Sequence, residues 1–462
     1  MRMSLKHHAA RSIQPTARET ALRILCRLEL EDLYSDRALT ETLSTSRLSL
    51  PDRALVTELV NGVLRWRRRL DWALEQLLIR RKIADLTPWI RNILRMGLYQ
   101  IELLDRIPPP AATDQAVTLA KRYGHRGTAS LVNAVLRKAA LLRGQEVLFP
   151  QLSEDPIAHI GLRYSHPDWM VRRWRERYGQ EETLALCQAN NRVPSPMVRV
   201  NTLKVTDLQV KEQLHREGIS FNEGRWVDGF LQLHGGGDLT RLDAFRQGWF
   251  QIQDESAGIA VKVLDPRPGE IVLDLCSAPG GKSTHLAAVM ANQGRVVAMD
   301  LYPRRLQELV DNCRRLGVVN VLPVVADGRR PGILRSDRAL VDAPCSGLGA
   351  LSRRADLRWK KREEDIPRLA VLQRELLRAA ADVIRPGGIL VYSTCTLEDE
   401  ENEEVVRLLL AERRDLVVES AAAFAHRELV TPQGFVRTFP HRHGVDGTFS
   451  ARLRKRAVGE SS

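Results

Sequence analysis

The chain has 462 residues, 44% of them hydrophobic and 27% charged, which is enough apolar material for two or three cores and excludes a disordered chain. Lys+Arg 70 against Asp+Glu 57 gives a net charge of +13, a surplus that suits a polyanionic partner such as a phosphate backbone, the plain alternative being a basic protein with no such partner. Residues 1–10 lack the apolar centre of a signal peptide, and no run approaches the ~18 apolar residues of a membrane helix, so a cytoplasmic chain without membrane contact is expected.

From Thr16 to Gly144 apolar residues recur at helical spacing, as in Leu55, Val56, Leu59, Val60 and Val63 and again in Ile93, Leu94, Met96 and Ile101. Pro51, Pro88 and the Pro108-Pro109-Pro110 break punctuate this pattern into an all-helical bundle of about five or six helices. Arg67, Arg68, Arg69, Arg80, Arg81 and Lys82, with Trp66 and Trp72 interleaved, make the bundle locally basic: either an RNA face or a solvated one. A mixed segment follows, with a basic helix over 169–177, strand-like stretches at 197–201 and 230–233, and a glycine loop at 235–237. It is expected to form a small α+β module.

Beyond Phe250 short β-branched runs at 271–275, 295–299, 321–325, 338–341 and 388–392 alternate with helical stretches at 282–291, 303–316, 367–384 and 398–412. That alternation predicts a parallel, doubly wound α/β sheet, with residues 447–453 as a late antiparallel edge strand. The expected domains are residues 1–146, helical and RNA-binding; 147–248, an α+β module that positions RNA; and 249–462, a Rossmann-like sheet.

Between the first strand of this sheet and its helix lies Asp274-Leu275-Cys276-Ser277-Ala278-Pro279-Gly280-Gly281-Lys282-Ser283-Thr284. Ligands of open α/β sheets bind at such turns, where glycines allow close approach and a helix N-terminus offers free N–H groups. A phosphate-binding P-loop would need glycine where Cys276 stands, and the G-x-G-x-x-G of dinucleotide sites is absent. Asp300 ends the next strand, where a carboxylate can accept from both ribose hydroxyls, and Asp327 follows the third, placed for an adenine amine. Any one of these acids alone could be a helix or turn cap.

The six cysteines form no CxxC pairs, which leaves neither a disulfide framework nor a zinc site, and no metal is expected. Two of them share the ligand rim: Cys345, in Asp342-Ala343-Pro344-Cys345-Ser346-Gly347 after the fourth strand, and Cys395, in Ser393-Thr394-Cys395-Thr396 after the fifth. A lone cysteine is most often a buried structural thiol; two on adjacent strand ends, one beside Asp-Ala-Pro, point to chemistry.

Together, the Gly-rich turn, Asp342-Ala-Pro-Cys345-Ser-Gly and Tyr392-Ser-Thr-Cys395-Thr resemble the RNA cytosine-5 methyltransferases. The helical front half, including Val132-Asn133-Ala134-Val135-Leu136-Arg137, is similar to the NusB-like domain that marks the RsmB (Fmu/Sun) branch, which modifies 16S rRNA. This resemblance implies S-adenosylmethionine as cofactor, held by Cys276, Ser277, Ala278, Pro279, Gly280, Gly281 and Lys282, with Asp300 on the ribose, Asp327 on the adenine edge and Asp342 beside them. It implies that Cys395 attacks carbon 6 of cytosine, that Asp342 contacts the ring nitrogen and exocyclic amine, and that Cys345 assists loss of the carbon 5 proton; Lys282 could orient the base or Asp342. A helix starting near Glu398 is expected to favour the Cys395 thiolate through its dipole, the acids at 398–404 being ordinary first-turn residues. Arg353, Arg354, Arg358, Lys360, Lys361 and Arg362, with Trp359, could grip phosphates beside the pocket. The expected partner is RNA, 16S rRNA free or in an early small-subunit particle, met by a monomer. The competing reading is a NusB-like RNA-binding or assembly factor with a vestigial methyltransferase domain; the intact cysteine pair argues against it. An amine methyltransferase would show Asn/Asp-Pro-Pro-aromatic where Asp342-Ala-Pro-Cys345 stands.

Overall fold

The computed structural model describes residues 15–460 apart from Arg80, Glu146, Gly236, Ile333, Leu334 and Val458. Arg80 of the basic cluster, the central glycine of 235–237 and residues 1–10 therefore lie outside the described residues. The chain divides into two compact units, Met1–Cys187 with Arg354–Asp356, and Gln188–Arg353 with Leu357–Ser462.

The first unit is helical. Helices Ala17–Leu30, Ser35–Ser44, Leu50–Leu77, Pro88–Leu103, Pro109–Tyr123 and Arg126–Leu141 form the expected bundle, and Pro156–Arg163 and Asp168–Tyr178 follow. Their starts are chemically marked: the Thr16, Ser49 and Thr87 hydroxyls accept the N–H groups of Glu19, Asp52 and Ile90. Val56, Leu59, Val60 and Val63 fall on one buried stripe. The basic cluster is not one RNA or solvated face. Arg68 donates to the His166 carbonyl at 2.6 Å and pairs with Asp168 at 2.7 Å. Arg69 lies over the Trp66 and Phe149 rings, Trp72 donates to the Leu148 carbonyl, and burial lowers the pKa of Arg67. Arg68, Arg69 and Trp72 hold the following segment onto the third helix.

In the second unit a four-stranded antiparallel sheet has strand order β2-β3-β1-β4, with β1 Met197–Val200, β2 Ser220–Glu223, β3 Phe230–His234 and β4 Phe250–Ile252. The larger sheet runs β10-β12-β9-β8-β5-β6-β7, from β5 Ile271–Leu275, β6 Arg295–Asp300, β7 Val321–Val325, β8 Ser336–Asp342, β9 Ile384–Thr394, β10 Leu416–Val418 and β12 Phe449–Lys455; β11 Val436–Arg437 pairs with β12. Strands β5 to β9 are parallel. β12 is antiparallel as expected, but it is not an edge: β10 pairs along its far side.

Residues 339–341 of β8 and 389–392 of β9 are apolar because helices cover both faces. Val341, Leu390 and Tyr392 pack with Leu376, Leu377 and Ala380 of helix Asp365–Val383 on one side, and Leu340 and Val391 pack with Ile259, Val263 and Leu286 on the other. A buried seam joins the two sheets: Arg199 of β1 donates to Gln253 at 2.8 Å and to Thr284 at 3.2 Å, and Asn201 donates to the Leu316 carbonyl at 2.8 Å. The strand order reverses between β5 and β8, so the crevice lies at their carboxyl ends.

Candidate active site

The turn after β5 is shaped by two residues with positive φ, Cys276 at 60° and Gly280 at 98°. Gly280 precedes helix Gly281–Val289, and a Cβ there would lie 2.7 Å from Leu309 Cγ, so the helix can approach its neighbour only at glycine. Beneath the turn, fully buried Asp274 accepts the Ser283 hydroxyl at 2.6 Å, and burial pushes its carboxyl up to about 7. Burial likewise pushes the Cys276 thiol up to about 12, which makes it a poor nucleophile.

The acids expected along the rim occupy different surroundings. Asp300 is buried, and its two oxygens accept the backbone N–H groups of Ala278 at 3.2 Å and Tyr302 at 3.0 Å. Asp327 is more exposed and is paired with Arg329 at 2.7 Å; this hydrogen bond holds its carboxyl below the usual range. Asp342 ends β8 and accepts the Lys282 ammonium at 2.7 Å. Burial works against the Lys282 charge, but Asp342 and Cys395 outweigh it and the ammonium pKa is raised.

Hydrogen-bonding groups for an adenosyl group with an amino-acid tail, both donors and acceptors, are present. Ser277 Oγ and Asp274 Oδ1 are buried without a hydrogen-bond partner, and the first turn of helix Gly281–Val289 has amides that no helix carbonyl can take. Asp300 keeps lone pairs beyond its two backbone bonds.

The two rim cysteines meet. Cys345 Sγ and Cys395 Sγ are 3.3 Å apart, and the Cys395 N–H donates to Cys345 Sγ at 3.4 Å. In-register pairing of Asp342 with Ser393 sets the two loops side by side. The hydrogen bond to Cys395 and then burial raise the Cys345 thiol well above its ordinary value.

Two expectations near this pair are corrected. No helix starts at Glu398: a short 3-10 turn spans Asp399–Glu401, and the α-helix begins at Glu403. The acidic run is not one solvated first turn either, because Glu401 is fully buried beneath the cysteines, accepting from Ser346 and Gln373. Its only sequence signal is an acid with no Lys or Arg three or four positions away. The phosphate-gripping cluster is also divided. Arg353 lies between Asp254 at 2.6 Å and Asp446 at 3.3 Å, and Arg358 is buried, donating to Asn191 and the Asn190 carbonyl, whereas Arg362 is exposed.

Three family models match the chain: the NusB family over residues 15–141, a ferredoxin-like domain of RsmF/B-like methyltransferases over 166–240, and 16S rRNA methyltransferase RsmB/F over 261–454. The helical bundle, the small α+β sheet and the large α/β sheet are thus the NusB-like, ferredoxin-like and methyltransferase modules of one architecture. The probable ribosomal RNA small subunit methyltransferase B of Bacillus subtilis is 36% identical over 448 residues, covering 96% of this chain and 99% of that protein. Ribosomal RNA small subunit methyltransferase B of Klebsiella pneumoniae is 35% identical, covering 89% and 92%. Among solved structures, a methyltransferase homolog protein from Pyrococcus horikoshii is 30% identical with a TM-score of 0.58, covering 65% of this chain and 99% of its own. With such identity along nearly the whole of both chains, the protein belongs to the RsmB family of 16S rRNA methyltransferases.

Proposed function

We propose that this protein methylates carbon 5 of a cytosine in 16S rRNA, with Cys395 as covalent nucleophile. The observation that carries the reading is the 3.3 Å approach of Cys345 and Cys395 beside the Lys282–Asp342 pair. Cys276, Ser277, Ala278, Pro279, Gly280, Gly281 and Lys282, with Asp300, Asp327 and Asp342, would hold S-adenosylmethionine, which supplies an electrophilic methyl group.

Carbon 5 of cytosine is a weak nucleophile until a group adds at carbon 6. Cys395 Sγ forms that bond, and the Lys282 ammonium within its electrostatic reach favours the thiolate that attacks. Asp342 faces the ring nitrogen and exocyclic amine, and its hydrogen bond to Lys282 offsets the charge that addition places on the ring. Cys345 begins as the protonated sulfur and must give that proton to water, which its partial exposure admits, before it can act as a base. Once carbon 5 carries the methyl group, Cys345 as thiolate takes the carbon 5 proton; the C–H electron pair restores the 5,6 double bond and expels Cys395 as thiolate.

The target cytosine must leave any stack to meet these sulfurs, which favours a loop or single strand. Under this reading the substrate is 16S rRNA, free or in an early small-subunit particle, and the working unit is one chain in the cytoplasm. No described helix is long and apolar enough to cross a membrane. Residues 1–146 and 147–248 bind and position the RNA and residues 249–462 perform the chemistry, a division supported by the placement of the three matching models. Cys395→Ala should abolish methyl transfer to rRNA while leaving S-adenosylmethionine binding intact; retained turnover would exclude Cys395 as nucleophile.

A further inference from the structure

Glu401 sits where a buried charge is expensive, with no exposure to solvent and, among the described residues, no cation donating to it. One carboxylate oxygen accepts the Ser346 N–H at 2.8 Å and the Gln373 amide at 2.9 Å; the other accepts the Ser346 hydroxyl at 2.5 Å. Ser346 Oγ in turn meets Thr396 Oγ1 at 2.7 Å. The Gln373 amide also reaches the Pro344 carbonyl at 2.9 Å, and neighbouring Asn402 accepts the Thr394 hydroxyl at 2.5 Å and donates to the Thr396 carbonyl at 3.1 Å. The residues on both sides of each cysteine are therefore tied to one buried cluster centred on Glu401.

Resting on the two-cysteine reading above, we propose that Glu401 is a positioning residue for product release: it clamps the Cys345 loop to the Cys395 loop through Ser346 and keeps a carboxylate beside Cys345. A clamp on Cys395 alone would not need contacts to Pro344 and Ser346, which flank the other cysteine. The titratable groups that act electrostatically with Cys345 are Cys395 and Tyr392 from the β9 side and Glu401 from the 3-10 turn; Asp342, on its own loop, acts on Tyr392 in turn. Of these Glu401 is held by neutral donors; burial raises its carboxyl and those donors work against the rise, and the negative charge it carries when ionised disfavours a second one on Cys345. Cys345 thus stays protonated while Cys395 attacks, and becomes a strong base once its proton is lost.

The test uses the full-length enzyme in single turnover on rRNA carrying tritium at carbon 5 of cytosine. Adduct formation is read on a denaturing gel, and release as tritium entering water. In Glu401→Gln a negative neighbour of Cys345 is gone, so the rise of release rate with pH should move to lower pH. Its plateau should fall about 10- to 100-fold while adduct formation changes far less. Ser346→Ala keeps the charge but breaks the bridge to Thr396; it should lower the plateau without moving the midpoint. An unmoved midpoint in Glu401→Gln, or release at the parental rate in Ser346→Ala, overturns the proposal; should Glu401→Gln fail to fold, Ser346→Ala decides alone. Cys345→Ala is run alongside. If it turns over without trapping an adduct, the two-cysteine reading itself is wrong; if it traps one while the Glu401 and Ser346 variants release normally, only the role of Glu401 is lost.

Discussion

The Lys282 ammonium and the Asp342 carboxylate meet at 2.7 Å across the crevice, one from the helix after β5 and the other from the end of β8. Each comes from a different side of the point where strand order reverses, so the pair bridges the cofactor turn and the cysteine loops. Lys282→Met removes the only hydrogen-bonding cation that the described residues place on Asp342, and with it the charge compensation for addition at carbon 6. Adduct formation in a Cys345→Ala background should slow by about 10²- to 10³-fold, the usual effect of losing one electrostatic stabiliser. Adduct forming at the Cys345→Ala rate would show that the pair has no part in addition.

Asp274 provides a pH signature in stability. Its folded pKa is about 7, above the ~3.9 of an unfolded aspartate. The folded state therefore binds the proton more tightly, and this contribution to stability is complete below about pH 4 and lost as pH rises to about 7. Asp274→Asn, which can still accept the Ser283 hydroxyl, should flatten that part of the profile. Urea unfolding at pH 5 and pH 8 should show a smaller difference for the variant than for the parent, by up to a few kcal/mol. An unchanged difference would mean that Asp274 is ionised in the folded protein at both pH values.

The large sheet was legible because its parallel strands carry short β-branched runs that alternate with helical stretches; 271–275 and 321–325 match β5 and β7 residue for residue. The cysteine pair was legible because both sulfurs follow strands, and parallel neighbours bring their carboxyl ends together. What stayed hidden depends on which partner a charged side chain finds. Glu401 and Glu403 stand two positions apart in one acidic run, yet one is buried under the cysteines and the other pairs with Arg437. Arg353 and Arg362 belong to the same basic run, and only the fold places two aspartates around the first. The edge-strand expectation for β12 failed because β10, only three residues long, pairs along its far side.

Gly280 should be irreplaceable for two separable reasons. Its φ of 98° strains any L residue, and a Cβ would lie 3.1 Å from the Leu309 Cα as well as 2.7 Å from its Cγ, so the neighbouring helix must shift. Gly269 has a φ of 88° but open space around its missing side chain. Gly269→Ala should cost about 1–3 kcal/mol from strain alone. Gly280→Ala should cost more and also weaken S-adenosylmethionine binding, measured by calorimetry. Equal losses in the two variants, with cofactor binding retained, would mean that the contact with Leu309 does not shape the turn.

The basic run after Cys345 should separate by function under salt. Arg353 is held by Asp254 and Asp446, and the Asp446 carboxyl is pushed well above its ordinary value by burial and by Asp254. Arg353→Met leaves two partly buried acids facing each other and should destabilise the fold by about 1–3 kcal/mol, the cost of leaving such groups without their partner. Because its charge is already neutralised within the protein, the slope of log affinity for rRNA against log salt should not change. Arg362 is exposed, and a phosphate contact made by it would release about one counterion. Arg362→Gln should therefore leave stability nearly unaltered and reduce the slope by about 1. Titrations between low and physiological salt separate the two, and a reduced slope for Arg353→Met would mean that its guanidinium turns from the aspartates to the RNA on binding.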